Sequence, residues 1–565
     1  MIRFPATLAS MKKLSLQASQ NIADRLAWHT AGRDQAGIAR DLAEGKDIPE
    51  VYGLGEAGLF EEFFFFLDQF KISNLFAQLD PQCAERQSNV RFPAVMLIYL
   101  MRIVSGLSFF WHTHPVLLRS LALMRLVGFN GRETREGTSA RGKQPTADSS
   151  LDAQEGPTEI RGPFCAESIA TYIAAISAAA LEASFNGVIH ILAAHSMFPK
   201  QVHALMDASE IESTQKCQGC GKVRKDKAPE LRLRAGRIRK VAETVFGFKI
   251  WVVWDPQSKL PLAMRFSTIE VHDSRRAKEV VQQAMDNLKG YATITTLAFD
   301  RGFLNGPFLW WLDRCGVVFR VPAKTNMAVY TEALELAAGG IRQTRERTRS
   351  QGYGKNKKAV TDFWDVVGIT GLTTAGFYGP ASSGSHENRA DFVPNPINAV
   401  VVLDDPFRKN NPNAALMVIL TNAPVQKPLR TYDGYDARSE IENGLFREAK
   451  QGWFIERPAK NTMEAFRAHT YLTVLTMALT TAFRTWMDSK DYRDVKNPDS
   501  GIRKFREQIR QENGNKLIVF DAERYAIFDT YEVFILCNRN VLQPRGVPER
   551  ISKEDILRKY GADRE

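Results

Sequence analysis

Between residues 202 and 322 the chain switches repeatedly between two hydrophobic periods, and the order of the switches constrains its fold more than any other feature. "VHALMDASEI" (202–211) is a short apolar run. "FGFKIWVVWD" (246–255) puts Phe246, Phe248, Ile250, Val252 and Trp254 on one face and turns through "PQSK" into "LPLAMRF", which reads as a hairpin. "DSRRAKEVVQQAMDNLKG" starts on an Asp or Ser cap, carries apolar residues at helical spacing and ends on Gly. "YATITTLAFD" is a buried strand ending on Asp300, "NGPFLWWLDRCG" a helix, and "VVFRVP" another strand. Three strands, a helix, a strand, a helix and a strand describe an α/β sheet with helical cover.

That order is the order of an RNase H-like domain, so the expected fold is α/β: an RNase H-like catalytic core with a β-rich insertion, preceded by a mainly helical N-terminal region. Residues 1–129 hold helical apolar clusters such as "LFEEFFFFLDQF" and form a candidate DNA-end-binding region without clear helix-turn-helix spacing. Residues 130–163 are rich in Gly, Ser, Thr and charge and read as a polar linker or mobile loop. The core then runs over 164–322, a β-rich insertion with strands "FWDVVGI" and "NAVVVL" over 323–415, and the core's last strand and helices over 416–490. Residues 491–565 form a C-terminal region of mixed charge, and no repeat of fixed period is visible.

Composition narrows the partners. A net charge of +11 favours a polyanion, with nucleic acid first, although charge bears on association and not on fold. Six cysteines in 565 residues are too sparse for a secreted disulfide framework, and "MIRFPATLASMKKLSLQ" lacks an apolar signal core. The expected location is therefore cytoplasmic, with the nucleoid. Residues 92–110 and 463–483 are apolar enough to mislead a hydropathy scan, but Arg102 and Arg467 with His469 interrupt them, so buried helices are expected and no membrane partner.

The stretch "YDARSEIENGLFREAKQGW" (435–453) reads as one helix. At roughly 100° per residue, Leu445, Phe446, Ala449 and Trp453 fall in one arc, and Tyr435, Arg438 and Glu442 lie inside it. An ionised group on an apolar face is costly unless paired or bound to metal. A buried ion pair with Arg438 is one solution for Glu442. The other is a metal site shared with Asp207 and Asp300, which stand at or near strand ends. Oxygen ligands suit Mg²⁺, and two such ions activate the attacking oxygen and stabilise the leaving one in phosphodiester displacement. Taken singly, either aspartate also fits a solvated or capping role.

In "MDASEIES", "LAFDRGFLN" and "VILTN" followed by "YDARSEIENGLFREAK" the chain resembles the DDE transposases of bacterial insertion sequences, in the group with a Tyr-Arg-Glu-Lys signature. "VHDSRRA" (271–277) resembles a segment between the first two acids, and the resemblance covers about 200–490. It implies Asp207, Asp300 and Glu442 as catalytic acids holding two Mg²⁺ or Mn²⁺ ions. Tyr435, Arg438 and Lys450 would contact DNA. Water would cut at the element's ends and the freed 3′-hydroxyl would attack target DNA, in cut-and-paste fashion. The partners would be double-stranded DNA and further copies of the chain, as a homodimer or higher oligomer. One residue departs: the signature's Lys falls seven residues after Glu, where Ala449 stands, and Lys450 is rotated by about 80° from Glu442 in an ideal helix. A local bulge or the long side chain would restore its reach. The alternatives are a catalytically inactive DNA-binding relative and an RNase H-like nuclease without strand transfer.

Smaller motifs remain. Residues 216–240 carry ten basic residues against two acids, read as a DNA-backbone contact or a solvated hairpin. Cys217 and Cys220 suggest a Zn²⁺ knuckle, but no second ligand pair lies within reach in the sequence. His112 and His114 in "FWHTHP" read as a helix-end turn, His272 beside Asp273 as a cap, and Trp310 and Trp311 as core.

Overall fold

The computed structural model describes residues 31–47, 50–55, 57–76, 79–80, 92–137, 160–226, 242–351, 358–374, 396–403, 416–489, 502–522, 524–539 and 551–562. The chain divides into two compact units, one of Met1–Ser184 with Gly452–Glu565 and one of Phe185–Gln451. The divisions fall inside the stretches 164–322 and 416–490 that sequence alone suggests are continuous core.

The Phe185–Gln451 unit is built on one sheet of ten described strands. In chain order they are β1 (Gln201–Ser213), β2 (Gly221–Asp226), β3 (Ala242–Asp255), β4 (Leu260–Thr268), β5 (Thr293–Phe299), β6 (Val318–Pro322), β7 (Ile341–Gln351), β8 (Lys358–Leu372), β9 (Ile397–Leu403) and β10 (Met417–Thr421). Across the sheet the order is β2-β3-β1-β5-β6-β10-β9-β8-β7, with β4 also paired to β3. β1 runs antiparallel to β3 and parallel to β5, and β5 parallel to β6. Helix α1 (Ser274–Leu288) turns Ala277, Val280, Val281, Ala284 and Leu288 inward, and Trp251 donates its indole N–H to the Asp273 carbonyl at 2.9 Å. Trp251 alternates with Val252, the residue opposite Asp207, so α1 covers the face away from that aspartate.

The expected insertion is not a separate module. After α2 (Gly306–Arg314) and α3 (Ala328–Leu336), strands β7, β8 and β9 join the same sheet through β10, which pairs with β6. Val366, Val400, Val402 and Ile419 are fully buried on the shared face. Helix α4 (Pro428–Asp436) lies on that face, burying Tyr432 and Tyr435 among these residues and Trp364. Arg345 pairs with Asp433 at 3.0 Å, and the backbone N–H of Leu429 donates to Gln343 Oε1 at 3.2 Å, fixing α4 against β7.

The single helix expected over 435–453 is interrupted. α4 ends at Asp436, a turn follows, Ile441–Phe446 winds as a π-helix, and α5 (Arg447–Gln451) resumes the α form. Ile441, Leu445, Phe446 and Ala449 are all buried, a spacing of four, five and eight residues from the first, which suits a widened turn better than an α-turn.

In the other unit, both ends of the chain share a four-stranded sheet. Gly32–Arg33 pairs parallel with Arg524–Asp529, which pairs with Lys516–Asp521, which pairs with Glu50–Gly53. Ile38, Leu42, Val519, Ala526, Phe528, Leu536 and Ile556 form its core. The mainly helical region expected over 1–129 thus contains two short strands. The stretch 130–163 begins with a capped helix, Gly131–Glu136, while 138–159 lie outside the described residues. So do residues 1–30 and the 227–240 part of the basic segment.

Helix Phe92–Ser105 is buried along nearly its whole length, and Met463–Ser489 buries Thr470, Thr473, Thr476 and Thr480. The Thr476 hydroxyl donates to the Leu472 carbonyl at 2.5 Å, the local bond by which a helix accommodates a buried threonine. Among the described residues no single helix is long and apolar enough to cross a membrane.

Candidate active site

Strand register brings the two aspartates together. Asp207 lies in the middle of β1 and not at the strand end expected from sequence, because β1 continues six residues further against β3 alone. β1 and β5 run parallel with Met206 opposite Phe299, so Asp207 and Asp300, the residue after β5, each follow this last paired position. β5 stops there because Arg301–Phe303 turns as a 3₁₀ helix, held by Phe303, which is buried edge-on against Phe299 with ring centroids 6.3 Å apart.

Glu442 reaches the same place from the π-turn. Arg438 Nη1 donates both to Asp207 Oδ2 at 3.1 Å and to Glu442 Oε1 at 2.8 Å. One nitrogen thus joins the first and third acids. Gly444 makes the approach of the π-turn possible: a Cβ there would stand 3.3 Å from Trp254 on β3. Asp207 is buried, with 12% of its side chain exposed, whereas Glu442 is 53% exposed and faces solvent.

The environments differ accordingly. Burial pushes the Asp207 carboxyl up to about 7; Arg438 and the Ala208 N–H, which donates at 2.8 Å, oppose that rise, while Glu442 and Asp300 add to it. Both other acids therefore act electrostatically on the first. Burial opposes the charge of Arg438, yet Tyr435, Asp207 and Glu442 together hold its guanidinium above its ordinary range. Tyr435 is itself 6% exposed with its ring in the core, so it meets the site through its influence on Arg438.

Lys450 lies on α5, eight residues after Glu442. A π-turn holds one more residue than an α-turn. The π-helix at Ile441–Phe446 therefore absorbs the extra residue that puts Lys450 out of phase in an ideal helix, and returns it toward the face of Glu442.

Arg320 is a residue the sequence did not single out. It lies opposite Ala298, two positions before Asp300, and so shares the face of both aspartates. α4 crosses it at Gly434, where a Cβ would come within 2.5 Å of Arg320 Nη1. Its Nε is buried with no hydrogen-bond partner. Burial, with Arg430 as a second cause, lowers its pKa, and no carboxylate contributes. The only signal in the sequence is one charge inside the apolar strand "VVFRVP".

Three carboxylates, from the middle of β1, the end of β5 and the π-turn, are hard oxygen donors of the kind Mg²⁺ or Mn²⁺ takes. Here Arg438 lies between two of them, and among the described residues no three acidic, histidine or cysteine side chains are close enough to hold a metal ion. That includes Cys217, which is buried, and Cys220; both are free thiols, and each Sγ lies near a backbone carbonyl. The three carboxylates fit a divalent cation in the kind of donor they offer. His112 ends a short 3₁₀ turn, His114 Nε2 meets the Arg161 carbonyl at 2.8 Å, and His272 Nδ1 meets Ser274 at 3.0 Å in a helix-capping turn.

Residues 199–479 match the family model described as a transposase DDE domain, just under half of the chain. No curated protein matches the sequence. Among solved structures, a piggyBac transposase synaptic complex with hairpin DNA is similar at 10% identity and a TM-score of 0.31, over 59% of this chain and 57% of that one. A likeness that distant carries no argument about fold or function.

Proposed function

We propose that this chain, whose residues 199–479 match a transposase DDE domain, is a DNA transposase that cleaves at element ends and joins the freed 3′ ends to target DNA by cut-and-paste transposition. The observation that carries the reading is the joining of Asp207 and Glu442 by one Arg438 nitrogen beside Asp300. The strand order β4-β3-β1-β5-β6, antiparallel on one side of β1 and parallel on the other, supports an RNase H-like core. Asp207, Asp300 and Glu442 would hold two Mg²⁺ or Mn²⁺ ions. Such a pair, when bound, supplies activation of the attacking oxygen and charge for the leaving one.

The chain's own residues do the rest. Asp207 must give up its proton to serve as a ligand, since its carboxyl sits near neutrality. Arg438 would be a donor for a DNA phosphate beside the scissile bond, with Tyr435 orienting it. Arg320 and Lys450 would take further phosphate oxygens, which charge-assisted donors bind well. Two element ends must be held at once, so the acting species is a homodimer or higher oligomer.

The test incubates the purified full chain with inverted-repeat ends and Mg²⁺. Glu442→Gln should bind the ends as wild type does yet lose cleavage by about 100-fold or more, in line with loss of an electrostatic catalytic group. Equal cleavage by wild type and variant would remove the assignment.

A further inference from the structure

The largest exposed aromatic surface among the described residues stands in the unit formed by the two chain ends, in the motif "FWHTHP" and the residue before it. Phe109 is 49% exposed and Trp111 66%, whereas the other exposed aromatics, Tyr291, Phe363 and Phe534, are scattered singly. The Phe109 and Trp111 rings stack with centroids 6.4 Å apart and planes 30° apart. His112 meets Phe109 edge-on at 5.7 Å and Trp111 at 3.9 Å. The exposed Arg457 lies over the Phe109 ring at 5.8 Å.

This surface is built. Arg102, 1% exposed, donates to the Arg457 carbonyl at 3.1 Å and lies 5.2 Å from the Phe110 ring. It binds the aromatic turn and the Arg457 segment to helix Phe92–Ser105. A buried guanidinium is costly, and this one is spent on holding two surface segments in place. Behind it the Tyr99 hydroxyl and His469 Nδ1 meet at 2.9 Å, and His469 Nε2 meets the Phe454 carbonyl at 3.0 Å.

We propose that Phe109 and Trp111, with Arg457 at their edge, form a stacking platform for an unpaired base of DNA. The inference rests on the DNA-processing reading above and adds a ligand subsite to it. Two flat rings match the π-face that every base presents, and stacking of this kind tolerates any sequence. An arginine beside the rings serves the base by a cation–π contact and its phosphate by charge. The rim is histidine and arginine, which suits an anionic strand better than the aliphatic face of a protein partner.

The test uses the full chain with two probes: a blunt duplex, and the same duplex extended by a short single-stranded overhang carrying 2-aminopurine. Wild type should quench the aminopurine. Trp111→Ala should weaken overhang binding roughly 10-fold, the scale of one stacked base, and abolish the quenching. Trp111→Phe should restore both, and blunt-duplex affinity should stay within about twofold throughout. Arg457→Gln, which keeps the backbone carbonyl that Arg102 uses, gives an independent variant with a smaller loss of the same selectivity. Three results overturn the platform: equal loss on both probes, quenching that survives Trp111→Ala, or a change of oligomeric state in Trp111→Ala with quenching intact. Wild type that binds neither probe overturns the DNA-processing reading as well, so the two failures are distinct.

Discussion

Among the three acids, Asp207 is the one whose protonation the fold shifts. Its carboxyl is ordinarily ionised above about pH 4, and burial in this chain raises it to about 7. Because the folded value is the higher one, the folded chain holds more protons than the unfolded chain between those limits. The associated stability is complete at the acid end and is lost as pH rises to about 7, on the order of a few kcal/mol. Asp207→Asn removes that contribution while keeping an oxygen for Arg438. In the absence of divalent cation, thermal midpoints of the wild type should fall more steeply between pH 4 and 7 than those of the variant; parallel curves would show that Asp207 titrates normally. Glu61, raised to about 7 by burial with Glu62 as the second cause, gives a slope of the same sign in both proteins and cancels in the comparison.

α4 shows at the scale of an element how a small residue serves a large one. Alanine is the better helix former by about 1 kcal/mol, so Gly434→Ala should favour the helix itself. The new Cβ would lie 2.5 Å from Arg320 Nη1, the far end of a flexible side chain that can move. The expected outcome is a thermal midpoint within a few degrees of wild type with DNA cleavage reduced about 10-fold, the scale of one lost charge-assisted contact. A loss of both together would instead mark Gly434 as a packing residue. The same part of the chain shows what sequence can and cannot reveal. The apolar runs that carry Asp207 and Asp300, and a carboxylate inside an apolar arc at Glu442, are visible locally. The π-turn does not, since its buried spacing over Ile441, Leu445, Phe446 and Ala449 is close enough to a helical stripe to be read as one. Arg320 was missed because a single charge in a short strand reads as an edge position, and its burial comes from a helix more than a hundred residues later.

For the whole molecule, the division into units has a measurable consequence. A fragment of residues 185–451 contains every strand of the large sheet and all the acids, and should unfold as one cooperative transition. Removing residues 516–562 from the full chain takes away two of the four strands of the terminal sheet. It should expose the Ile38 and Leu42 side of that core to protease while leaving the transition of the other unit in place. The short strands Gly32–Arg33 and Glu50–Gly53 escape sequence reading for the same reason they matter: their partners lie more than 450 residues away. That separation also sets a timetable on the ribosome. Synthesis proceeds at about 5 to 20 residues per second, so the strands near residue 32 wait at least about 25 s for those that complete their sheet. The unit carrying the three acids has all its described strands by residue 421. A nascent chain therefore first assembles the sheet of the unit that carries its three acids and closes its terminal sheet last.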